Sequence, residues 1–85
     1  MEHSVSEAAF LTHLLDEFRQ IGVDALTPEL RFKEVAGWSS MFALMLIVHI
    51  DELFQVALSA EDIRKVETLR ELYQLASARV QQQGS

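Results

Sequence analysis

The sequence predicts an all-α fold of four helices, with a short third helix and a long loop between the first two. Three observations carry the prediction. Apolar residues recur three and four positions apart, the spacing of one face of a helix. Hydroxyl residues stand three positions ahead of acidic ones where these stripes begin, the signature of a capped helix start. The chain is 49% hydrophobic and has no cysteine, so it must close on apolar packing alone, without disulfides or thiolate-bound metal.

The first helix is expected from about Ser4 to Ile21. Ser4 and Glu7 have capping-box spacing. Phe10, Leu14, Phe18 and Ile21 form the stripe, which Leu11 and Leu15 widen, while His13, Asp16, Glu17, Arg19 and Gln20 fall mostly outside it. Gly22 stands where a left-handed residue ends a helix. A long connection to Trp38 follows. Pro28 opens a short helical turn with Thr27 as its cap. Phe32, Val35 and Trp38 give the loop its own anchors, so it is packed down.

The second helix starts at Ser39 or Ser40 and ends near Phe54. Ala36-Gly37 is a turn, and the apolar run that follows makes both sides of the helix hydrophobic. Phe42, Met45, His49, Glu52 and Leu53 project to one side, Ala43, Leu46, Ile47, Ile50 and Phe54 to the other. Periodicity alone does not say which side meets water. Gln55 to Leu58 reads as an extended connector. Ser59 caps a short third helix with Glu61 and Asp62 in its first turn. Thr68 to Glu71 is a second capping box, opening a last helix with Leu69, Leu72, Tyr73, Ala76 and Val80 as its stripe. Residues 1–80 form one domain, and 81–85 are expected to be a disordered tail.

A net charge of −6 disfavours nucleic acid and anionic membrane surfaces and favours basic partners. The longest apolar run, Met41 to Val48, falls far short of a membrane span, which needs about 20 residues. No signal-peptide pattern opens the chain, so a cytoplasmic location is expected. His3, His13 and His49 have no metal-ligand spacing, so no metal site is expected. The carboxylates read as solvated surface, with no acid–base pair forced together. No Gly-rich phosphate loop or Gly-x-Ser-x-Gly elbow is present, which leaves Ser40 without the signature of a hydrolase. What remains is Gly37-Trp38-Ser39-Ser40-Met41. A hydroxyl at a helix start lies near unpaired N–H groups and the positive end of the helix dipole, a suitable place for a phosphate. Read by themselves, Ser39 and Ser40 are most simply caps.

From Phe32 to Ala76 the chain resembles the acyl carrier protein family. The matching strings are Phe32-Lys33-Glu34-Val35-Ala36-Gly37-Trp38-Ser39-Ser40-Met41 and Leu46-Ile47-Val48-His49-Ile50-Asp51-Glu52-Leu53-Phe54-Gln55-Val56. The likeness is most specific around Trp38 to Met41, where many carriers read Gly-Trp-Asp-Ser-Leu. It implies a four-helix bundle that catalyses nothing itself. It also implies that Ser40 receives 4'-phosphopantetheine from coenzyme A through a phosphopantetheinyl transferase, with Ser39 as the helix cap beside it. The arm would carry acyl or polyketide intermediates as thioesters to a ketosynthase and other acyl-processing or acyl-transfer enzymes. Two departures mark this chain. Ser39 replaces the family's Asp and its negative charge. The second helix is apolar where fatty-acid carriers are often acidic, which suggests a dedicated partner and a specialised pathway. The expected partner or cargo surface is Met41, Phe42, Leu44, Met45, Val48, His49 and Glu52. The alternative is a carrier-like interaction module that is never modified.

Overall fold

The computed structural model describes residues 5–83. Its elements are α1 (Glu7–Arg19), a short 3-10 turn (Phe32–Glu34), α2 (Ser40–Phe54), α3 (Ala60–Lys65) and α4 (Leu69–Gln83). No strand occurs among the described residues. The fold is therefore all-helical, with the long α1–α2 loop and the short α3 that the sequence predicts. α1 packs on α2 and α4, and α2 also meets α3 and α4. None of the helices among the described residues is long and apolar enough to cross a membrane.

α1 begins two residues later than a cap at Ser4 would place it. Ser6 is its cap, accepting from Ala9 N at 3.0 Å. Ser4 lies outside the described residues. At the other end, Val23 N donates to Phe18 O and Gly22 N to Arg19 O, both at 3.1 Å. With Gly22 at φ +87°, this pair of bonds is the Schellman closure that a glycine just past a helix permits. Phe10, Leu14 and Phe18 are fully buried.

The loop is tied down by the elements it crosses. Thr27 O accepts from Leu30 N at 3.1 Å, so Pro28 sits in a tight turn and not in a helical one. The carbonyls of Leu30 and Pro28 then accept from Leu69 N and Arg70 N at 3.1 and 2.8 Å. These are orphan donors at the start of α4, and the loop satisfies them. Thr68 Oγ1 takes the next, Glu71 N at 3.2 Å, while the Glu71 carboxylate returns to the N–H groups of Glu67 and Thr68. Lys33 Nζ reaches Ile63 O and Arg64 O at 3.1 and 3.0 Å, placing a cation on the last carbonyls of α3. Phe32 is buried beneath this strap.

α3 starts with a reciprocal capping box between Ser59 and Asp62. Val56 and Leu58 of the preceding connector are buried while Gln55, Ala57 and Ser59 are exposed, the alternation of an extended segment. α4 continues through Gln83, so Gln81 to Gln83 are helical where a disordered tail was expected; residues 84–85 lie outside the described range.

Candidate functional site

The start of α2 is built by three local devices. Ala36 and Gly37 turn the chain, with Trp38 N donating to Val35 O at 3.1 Å. Gly37 has φ +97°, and a Cβ there would lie 2.9 Å from Ile21 Cβ. Only glycine suits both the backbone conformation and the close approach to the end of α1. Trp38 then stacks edge-on between Phe32 and Phe42, at centroid distances of 5.4 and 5.5 Å, and Phe42 continues to Phe18 at 4.9 Å. This aromatic row binds loop, α1 and α2 into one support.

The two serines divide the work above it. Ser39 is extended, at φ −154° and ψ 169°, and its Oγ accepts from Phe42 N at 3.2 Å. Ser40 is the first helical residue and exposed, and its hydroxyl makes no hydrogen bond to any described residue. No described residue accepts from the N–H groups of Ser40 and Met41. The place thus offers an accessible hydroxyl beside free backbone donors at the positive end of a helix, where an anion is favoured. Ser39→Ala should lower stability by about 1 kcal/mol, the usual loss for a helix cap. Ser40→Ala should stay within about 0.5 kcal/mol of the parent. Urea unfolding of the two variants checks this division.

Beyond Ser40 runs a stripe of exposed apolar side chains: Met41, Leu44, Met45 and Val48, with Met41 the most open at 69% exposure. Their i, i+3, i+4, i+7 spacing puts them on one face, and Asp51 and Glu52 continue it with exposed charge. Two residues expected on this surface are not part of it. Phe42 is 6% exposed and belongs to the core with Leu46, Ile50 and Phe54. The reason is geometric: steps of four residues overshoot a helical turn, so the buried stripe drifts and Phe42 sits at its leading edge, against Phe18. His49 is turned toward α1, where its Nε2 lies 2.8 Å from Glu17 Oε1.

That pair corrects a second expectation. Glu17 is only 8% exposed and is no solvated surface carboxylate. Next to the pair, the His13 ring meets the His49 ring edge-on at 5.3 Å. The two histidines, read as separate in the sequence, are thus neighbours across the α1–α2 interface. A spacing rule within one helix cannot find them; the only local hint was the i, i+4 relation of His13 and Glu17, two polar residues on one side of an amphipathic helix.

No family model matches the chain, and no solved structure matches it.

Proposed function

We propose that this chain is an acyl carrier protein whose Ser40 hydroxyl carries a 4'-phosphopantetheine arm. The observation that carries the reading is the division between the serines. Ser39 is engaged as the cap, while Ser40 is exposed at the first position of a long helix, its hydroxyl bonded to none of the described residues. A phosphodiester on Ser40 would sit beside unpaired N–H groups and the positive helix end. The resemblance of Phe32 to Ala76 to the carrier family supplies the identity of the arm.

In this reading the four helices form the family's bundle, and the protein catalyses nothing. A phosphopantetheinyl transferase loads the arm from coenzyme A. The arm's thiol then holds acyl or polyketide intermediates as thioesters, and the tether raises their concentration at a docked ketosynthase or acyl-transfer enzyme. Met41, Leu44, Met45 and Val48 are the docking stripe, with Glu52 at its far end. An apolar stripe suits a dedicated partner in a specialised fatty-acid-like or polyketide pathway better than a set of basic ones. The cytoplasm, where coenzyme A is available, is the matching location.

The full chain is incubated with coenzyme A and a phosphopantetheinyl transferase, and intact mass and a peptide map are taken. One phosphopantetheine adduct on Ser40, absent from Ser40→Ala, is expected. Absence of an adduct with every competent transferase would leave the rival reading, an unmodified carrier-like interaction module, which the replacement of the family's Asp by Ser39 motivates. An adduct on Ser39 would overturn the register alone.

A further inference from the structure

We propose that His13, His49 and Glu52 form a binding site for a divalent transition-metal ion of the zinc class, bridging α1 and α2. One ligand atom from each of the three residues lies within 4.8 Å of the other two. Two further features of the cluster point the same way. His13 Nε2 and His49 Nδ1 are both buried and have no hydrogen-bond partner among the described residues. Buried polar atoms are nearly always paired, so two unpaired nitrogens in neighbouring rings require an explanation. A metal ion accepting both lone pairs supplies one.

The second feature is Glu17. Its carboxylate oxygen lies 2.8 Å from His49 Nε2, and since an ionised carboxylate can only accept, that nitrogen is the one that donates its N–H. In a neutral imidazole this leaves Nδ1 with the lone pair, the tautomer a ligand needs. A carboxylate behind a metal-binding histidine is the usual orienting partner in such sites. Glu52 Oε1 lies 3.9 Å from His49 Nδ1, and its side chain is mostly exposed and free to rotate. Ligands on one ion at 2.0–2.1 Å stand roughly 3.3 Å apart in a tetrahedron. The cluster must therefore contract by up to about 1.5 Å on binding.

The ligand set selects the ion. Two imidazoles and one carboxylate suit zinc and its first-row neighbours, whereas calcium and magnesium require mostly oxygen. Three protein ligands leave the fourth position to water or an outside group. Glu17 and Glu52 also make the surroundings anionic. The site does not depend on the carrier reading and uses none of the residues that would hold the arm.

Metal-free protein comprising all 85 residues is titrated with Zn2+ by calorimetry and with Co2+ by absorption. Expected are one equivalent bound, ligand-field bands of a four-coordinate Co2+ complex, a higher melting temperature with Zn2+, and no displacement by excess Mg2+. His13→Gln and His49→Gln should each weaken binding at least a hundredfold, and Glu17→Gln ten- to a hundredfold through loss of the orienting bond. Circular dichroism of each variant without metal establishes that it is folded. If a variant is not, imidazole 15N spectra of the unsubstituted protein decide, since Zn2+ must shift the His13 and His49 rings. Failure to take up Zn2+ saturably would overturn the site. So would uptake unchanged in folded His13→Gln, or ring shifts confined to His3.

Discussion

Phe42→Ala should destabilise the protein by about 3–5 kcal/mol, the usual loss for a buried phenylalanine. A chain of 85 residues has in total about 4–13 kcal/mol of stability. The substitution therefore removes a large share of it, and the urea midpoint and melting temperature should fall steeply. The effect is large because Phe42 touches two other aromatic rings, Phe18 and Trp38, and links the loop to both helices. Truncation opens a cavity at the junction of three elements. Met45→Glu, three residues on and 37% exposed, should move stability by no more than about 0.5 kcal/mol. If instead Met45→Glu unfolds the domain and Phe42→Ala leaves it intact, the assignment of core and surface on α2 is reversed.

The second large effect concerns Asp62 and Arg79. The Arg79 guanidinium donates to both Asp62 oxygens at 3.0 and 3.3 Å, and Ser59 donates its backbone N–H and hydroxyl to Oδ2 at 2.9 and 3.1 Å. Together, Arg79 first and the Ser59 backbone next, they hold the carboxyl at about 2, against an ordinary 3.8. The folded state thus favours the ionised form more than the unfolded chain does. The resulting stability is fully present above pH 3.8 and is lost as the pH falls through 2. It amounts to about 2 kcal/mol at most, less what solvent at the edge of the pair screens. Asp62→Asn should accordingly be up to about 2 kcal/mol less stable near neutral pH. Urea unfolding of parent and variant between pH 6 and pH 2 should show this gap closing toward the acid end, because the parent's own carboxyl is then becoming neutral. A gap that stays constant over the range would show that the loss comes from packing and not from charge.

Legibility in the sequence follows the range of the interaction. Capping is local, so Ser59 could be recognised as a cap ahead of two acids and Thr68 with Glu71 from a spacing of three; the structure contains both, and pairs Ser59 with Asp62 in a reciprocal box. At α1 the same rule favours Ser4 with Glu7 over Ser6 with Ala9, because alanine cannot return the second bond. The helix nevertheless starts after Ser6, where Val5 O accepts from the Tyr73 hydroxyl at 2.6 Å, a contact 68 residues away. The faces of α2 were not legible for a different reason. Nearly every residue there is apolar, so no polarity contrast marks the inside. The choice of Phe42 over Met45 for the core was made by Phe18 and Trp38. His13, Glu17 and His49 were hardest to see. Their association is a product of helix packing, and each alone resembles an ordinary surface residue. Ser39 and Ser40 were visible as a helix start, but only the backbone geometry assigns the cap to Ser39.

The contact of Gly37 with Ile21 has a consequence for the timing of association. Because the turn before Ser39 rests against the end of α1, the loss of chain freedom at this place occurs when the protein folds. A molecule approaching Ser40 or the methionines beyond it then meets a backbone already in position. Its affinity is not reduced by the need to order a loop, and encounter is limited by orientation rather than by a slow conformational step. A side chain at position 37 would shift that entropy loss from folding to docking. It would act on the rate of association more than on the contacts of the bound state.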